Sequence, residues 1–100
     1  MCHQTLINSS VTIGENTIIN NKALIEHDAK VGNNCHISTA SVINGNVVIG
    51  DNCFVGSNAT INHGVTLVDG CIIASGSTVT KNLDKAGIYA GNPAVFKKSN

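Results

Sequence analysis

Counting in sixes from Ile7 meets Ile7, Ile13, Ile19, Ile25, Val31, Ile37, Ile43, Ile49, Val55, Ile61, Leu67, Ile73 and Val79, thirteen aliphatic residues without a break. A period of six is neither the 3.6 of an amphipathic helix nor the plain alternation of one strand. It is the mark of a solenoid in which each short strand buries one aliphatic side chain. The residue four places after each aliphatic is mostly small: Val11, Thr17, Ala23, Ala29, Cys35, Ser41, Val47, Cys53, Ala59, Val65, Cys71 and Ser77. These residues are predicted to fill the space beside the aliphatic stack.

A longer beat of eighteen runs through Ile13-Gly14-Glu15-Asn16, Val31-Gly32-Asn33-Asn34 and Ile49-Gly50-Asp51-Asn52. Gly and Asn there are expected to supply the left-handed backbone of a tight corner. Three hexapeptides then close one triangular coil, and residues 7–84 hold thirteen, or four and a third coils. Parallel strands would stack on three flat faces about 4.8 Å apart. The prediction is an all-β chain: a parallel β-helix over residues 1–84, followed by a C-terminal cap segment over 85–100. That cap contains Gly91-Asn92-Pro93-Ala94 and Phe96-Lys97-Lys98. No comparable segment precedes Ile7, and bare strand edges invite association. A domain of a longer protein, or an end covered by a partner, is therefore expected.

One outward column reads Ile18, His36, Phe54, Ile72. An apolar outer stripe of this kind predicts burial against other copies of the chain, and a closed homotrimer is expected. Composition narrows the picture further. Two Phe, one Tyr and no Trp leave a thin aliphatic core. Six lysines against six acids, with no arginine, give no basic stripe for nucleic acid. No aliphatic run is long enough for a membrane span, and the N-terminus lacks a secretion pattern, so a cytoplasmic protein with four reduced cysteines is expected.

The run Ile25-Glu26-His27-Asp28, Val31-Gly32, His36-Ile37-Ser38, Gly45-Asn46-Val47-Val48-Ile49-Gly50, Phe54-Val55-Gly56, Gly76-Ser77 and Gly91-Asn92-Pro93-Ala94 resembles the hexapeptide acyltransferases. Within that family it is similar to the branch that acetylates bacterial amino sugars and sialic acids. The resemblance implies a left-handed coil, acetyl-CoA as donor, and a sugar-type acceptor. Members of that branch usually carry an N-terminal nucleotide-binding domain, which this chain lacks. The stretch before His27 is also about one coil shorter than the family habit. Both differences bear on the acceptor more than on the donor.

Acetyl transfer from a thioester needs a base to take the proton of the attacking amine or hydroxyl, and His27 is the candidate. The stacked residue one coil on is Gly45, which is expected to leave open space above the imidazole for substrate. The resemblance assigns Asp28 the task of fixing the tautomer, with Glu26 as the alternative carboxylate. It assigns His36 to the thioester end of acetyl-CoA. Ser57 and Ser75, eighteen apart, fit a track for the rest of the cofactor, with Gly91 to Ala94 and Lys97 or Lys98 near its adenine and phosphates. Each of these residues also suits a plain polar corner or face.

Two other readings stand beside this one. His63 lies thirty-six residues after His27, hence on the same corner two coils up, roughly 10 Å away. Carbonic anhydrases of this fold use two histidines at that spacing plus a third five residues further on, where this chain has Val68. No metal site is assigned on that basis. Cys35, Cys53 and Cys71 form a ladder of eighteen, in the register of small inward residues, and are expected to be buried, inert thiols. The last reading is a non-catalytic scaffold that trimerises a larger assembly.

Overall fold

The computed structural model describes residues 5–99. Very short strands build three parallel sheets that wrap into a left-handed β-helix of about five turns. The first face stacks Leu6–Ile7, Leu24–Ile25, Val42–Ile43, Thr60–Ile61 and Thr78–Val79. The second stacks Thr12–Ile13, Lys30–Val31, Val48–Ile49 and Thr66–Leu67. The third stacks Ile18–Ile19, His36–Ile37, Phe54–Val55 and Cys71–Ile73. Register between rungs is eighteen residues, as in Ile25 with Ile43 and Ile43 with Ile61.

Each rung turns one side chain inward and the preceding one outward, which is why the six-residue period carries the core. Ile25, Ile37, Ile43, Val55, Ile61, Ile73 and Val79 are wholly buried, and so are Ala23, Ala29, Val47, Ala59 and Cys71 from the small-residue register. Where that register holds serine, the hydroxyl finds partners. The Ser41 hydroxyl bonds the carbonyls of Ser38 at 2.8 Å and Gly56 at 2.9 Å. A buried polar group satisfied in this way costs little.

The corners repeat with the same period. Backbone φ is near +60° at Ser10, Asn16, Lys22, Asp28, Asn34, Ala40, Asn46, Asn52 and Asn58, and glycine takes over at Gly64, Gly70 and Gly76. Asn, Asp and Gly tolerate this left-handed conformation best, which accounts for most of the set. The glycines of the eighteen-residue beat are not among them. Gly32 is needed for close stacking: a Cβ there would stand 2.4 Å from the Asp51 carboxylate and 2.8 Å from the Gly50 carbonyl. The expectation that both residue types serve the left-handed turn holds for Asn16, Asn34 and Asn52 and is corrected for Gly14, Gly32 and Gly50.

Beyond Val79 the period breaks. Leu83 adds one bridge to Leu67, and Gly87–Gly91 extends the third face by pairing Ile72 with Ile88. Ala94–Lys98 then folds back antiparallel on Gly87–Gly91. Tyr89 donates to the Lys85 carbonyl at 2.6 Å and meets Phe96 edge-on, while the Lys85 ammonium sits 3.9 Å from the centre of the Phe96 ring. These contacts hold the hairpin against the last coil, and a cavity of about 310 Å³ lies between Lys81–Lys85 and Phe96.

Candidate functional site

The edge between the first and second faces carries residues 26–29, 44–47 and 62–65. His27 and Asp28 stand on it, both about half exposed, with Nδ1 of His27 3.2 Å from Oδ2 of Asp28. Asp28 occupies a left-handed corner position, φ 61°, so the turn that the coil requires also brings its carboxylate beside the imidazole. Glu26 is engaged elsewhere, accepting from the Asn8 side-chain amide at 2.5 Å. Of the two flanking carboxylates, Asp28 is therefore the partner of His27. Nδ1 thus faces the carboxylate, and Nε2 is the ring nitrogen that lies over residue 45.

The space above His27 differs from expectation. A Cβ on Gly45 would lie 2.9 Å from both Cε1 and Nε2 of His27, so the imidazole itself fills the place a side chain at 45 would take. Gly45 makes room for the ring and does not leave a vacancy for substrate above it. Leaning over Gly45, the ring comes within 6.5 Å of the His63 ring, centroid to centroid, closer than the two-coil backbone spacing suggested. His63 is held in turn by the Asn46 side-chain amide, 3.0 Å from its Nε2. Asn46 stands in the run that carries the family resemblance, eighteen residues after Asp28, but no role for it was legible in the sequence. Among the described residues no three His, Cys, Asp or Glu side chains gather to hold a metal ion.

His36 lies on the outer surface of the third face. Its Nε2 is 3.0 Å from the Asn20 side-chain nitrogen, and its ring is 5.2 Å from that of Phe54. The column Ile18, His36, Phe54, Ile72 is continuous and in register, with Ile18 half exposed and Phe54 40% exposed. Ser57 and Ser75 are on the edge between the third and first faces, one rung apart, with the Gly76 amide donating to the Ser57 carbonyl at 2.9 Å. Within one chain, then, His27 and Asp28 are together, Ser57 and Ser75 are together, and the first face separates the two pairs. His36 belongs to neither edge.

The cysteine ladder is buried and its thiols are free. The sulfurs point to carbonyls of the coil above, Cys35 to Gly50 at 3.0 Å and Cys53 to Val68 at 3.3 Å. The Cys35 thiol and burial push Cys53 up from the usual thiol range, and burial pushes Cys71 up. Both remain protonated at neutral pH, the form that is a poor nucleophile. The Cys53 thiol draws Cys35 down to about 7, so the expectation of an inert ladder holds for Cys53 and Cys71 and not for Cys35. Cys2 lies outside the described residues.

Comparison with known proteins agrees with this architecture. The model for the bacterial transferase hexapeptide, six repeats, matches residues 10–45. The model for the hexapeptide repeat of succinyl-transferase matches residues 46–81. No curated protein matches the sequence. Among solved structures, a mutant of GDP-perosamine N-acetyl transferase from Caulobacter crescentus, in complex with CoA and GDP-perosamine, is 21% identical with a TM-score of 0.77, over 99% of this chain and 56% of that one. The acetyltransferase domain of PglB from Neisseria gonorrhoeae, in complex with acetyl coenzyme A, is 18% identical with a TM-score of 0.74, over 95% of this chain and 55% of that one. Soybean serine acetyltransferase is 24% identical with a TM-score of 0.82, over 91% of this chain and 42% of that one. The chain thus spans about half the length of the proteins it resembles. With two hexapeptide-repeat models end to end over residues 10–81 and the left-handed coil in place, the chain is built of the hexapeptide repeats that those models describe in bacterial transferases.

Proposed function

We propose that this chain is an acetyl-CoA-dependent acetyltransferase solenoid acting on an amino or hydroxyl group of a sugar, nucleotide sugar or sialic acid, with His27 as general base. The observation that carries the proposal is the His27–Asp28 pair. A carboxylate on Nδ1 fixes the tautomer and leaves Nε2, on an exposed edge, as the proton acceptor. The acceptor nitrogen or oxygen attacks the thioester carbonyl and gives its proton to Nε2. The C–S bond then breaks, and the imidazolium returns the proton to the departing CoA sulfur. Asp28 stabilises the imidazolium between these steps.

The donor side draws on His36, Ser57 and Ser75, which one chain keeps on a different face and edge from His27. A homotrimer reconciles this: the His27 edge of one protomer meets the third face and Ser57–Ser75 edge of its neighbour. The apolar column of Ile18, Phe54 and Ile72 supports burial there. The proposed place of work is the cytoplasm, where acetyl-CoA is available and thiols stay reduced. The Caulobacter relative was captured with CoA and GDP-perosamine, and the Neisseria domain with acetyl coenzyme A, which supports both donor and acceptor class.

The test incubates the protein with acetyl-CoA and a panel of amino sugars, nucleotide sugars and sialic acids while following free thiol. At least one acceptor should release thiol well above hydrolysis, and His27→Ala should fall by at least about a hundredfold. No turnover on any acceptor would remove the acetyltransferase reading; an His27→Ala variant equal to an active parent would remove His27 as the base.

A further inference from the structure

The base has an unusual neighbourhood on its own edge. Nothing at residue 45 holds the imidazole from beneath, because Gly45 has no side chain and the ring occupies that place. Asp28 fixes one nitrogen but, through a single contact of 3.2 Å from a half-exposed carboxylate, leaves the ring free to swing about that contact. What stands on the far side is His63, its ring tilted by 55° to that of His27 with centroids 6.5 Å apart. His63 is not loose, since Asn46 bonds its Nε2, and the Asn46 backbone amide donates to the His27 carbonyl at 3.1 Å. His27, Asn46 and His63 therefore form a closed circuit across three coils: backbone to backbone, amide to imidazole, and ring to ring.

We propose that His63 is the positioning residue for His27. It forms the wall that holds the catalytic imidazole over Gly45 with Nε2 aimed at the acceptor, and Asn46 fixes that wall. This rests on the reading of His27 as the base. The role assigned to His63 is that of a ring surface, and its Nε2 is engaged by Asn46. Small displacements of a catalytic group are costly: a shift of about 1 Å is worth up to a hundredfold in rate. A small residue at 63 lets the imidazole swing toward solvent, and the same holds to a lesser degree when Asn46 is removed.

The test compares His63→Ala, His63→Phe, Asn46→Ala and His27→Ala in the full chain, with kcat and KM measured separately for acetyl-CoA and acceptor. A second readout needs no turnover: nitrogen-detected NMR of the His27 ring, which reports its tautomer. His63→Ala should lose roughly 10- to 100-fold in kcat with KM for acetyl-CoA unchanged. Its His27 ring signals should move from their parent positions as the ring leaves the His63 wall, with Nδ1 still on Asp28. His63→Phe keeps a ring at the wall and should stay within about threefold of the parent. Asn46→Ala should fall between the two. If His63→Phe is as impaired as His63→Ala while the His27 signals are unchanged, His63 acts through its own nitrogens and the proposal is overturned. If His63→Ala matches the parent in rate and NMR while His27→Ala is inactive, the positioning role fails and the base assignment stands. A fully active His27→Ala removes the base assignment on which the proposal rests and leaves acetyl transfer itself standing.

Discussion

The imidazole of His27 lies where a side chain on residue 45 would be, with Cε1 and Nε2 each 2.9 Å from the position of a Gly45 Cβ. The clash in Gly45→Ala would fall on the far end of a half-exposed side chain, which can rotate away. Backbone φ at 45 is not in the left-handed region, so alanine itself fits. Stability should move by less than about 1 kcal/mol, while thiol release should drop by about tenfold or more as the ring is displaced. Thermal melting and the thiol assay on the same preparation check both. Unchanged activity would mean that the ring works from another position.

Gly32 gives the opposite outcome from the same substitution. Its absent Cβ would press on the Gly50 carbonyl and the Asp51 carboxylate, and backbone on the next rung cannot step aside. Gly32→Ala should cost about 1–3 kcal/mol, seen as a lower urea midpoint with an unchanged slope. Gly64→Ala is the control: its Cβ meets nothing within 4 Å, and only the φ of +76° opposes it. A cost of about 1–2 kcal/mol is expected from that strain alone. Equal losses in a Gly14→Ala variant, where the Gly32 carbonyl would be 2.7 Å away, would extend the stacking argument to the lower coil.

How much of this was legible follows from what each feature depends on. The rungs from Ile7 to Val79 were readable because burial repeats with the chain's own period and needs no partner outside the pattern. His27 and Asp28 were readable as neighbours in sequence. The approach of His63 to His27 was not, because the eighteen-residue beat fixes where the backbones stack and says nothing of which way two side chains lean. The hairpin of Gly87–Gly91 and Ala94–Lys98 was equally hidden. Its pairing of Ile72 with Ile88, like the bridge of Leu67 to Leu83, spans sixteen residues where the rungs up to Val79 span eighteen, and it is held by particular contacts of Tyr89, Lys85 and Phe96. The purpose of Gly32 was misread because a glycine looks the same in sequence whether φ or stacking demands it.

That hairpin carries a pH dependence with a definite sign. Burial pushes both the Cys71 thiol and the Tyr89 phenol up from their ordinary values, and both side chains point to the Lys85 carbonyl. In the folded chain these groups stay neutral to higher pH than in the unfolded one. Their contribution is therefore complete below the ordinary thiol range and is lost as pH rises above about 8.5, because the unfolded chain ionises first. Cys53, also pushed up, adds to the loss, and the melting temperature should fall from about pH 8.5 toward pH 10. Cys71→Ala should soften that fall, with alanine tolerated as it is at Ala23 and Ala59 in the same register. A melting temperature that rises between pH 8 and 10 would contradict the assignment.

Phe54 tests the assembly without touching the core. Its side chain is outward and 40% exposed, stacked in register between His36 and Ile72, and its ring packs against His36 at 5.2 Å. An aspartate there costs the isolated coil little, because the inward partner of the rung, Val55, is untouched. Placed in an apolar contact between protomers, the same carboxylate is desolvated without a partner, a penalty of several kcal/mol for each interface. Sedimentation velocity should therefore find the parent as a trimer and Phe54→Asp as a monomer, with the same β-rich circular dichroism. Acetyl transfer should vanish with the trimer, since His27 on one edge and Ser57–Ser75 on another do not meet within one chain. A Phe54→Asp protein that sediments like the parent would move the interface off the third face. A monomer that still turns over would show that one chain assembles the site alone.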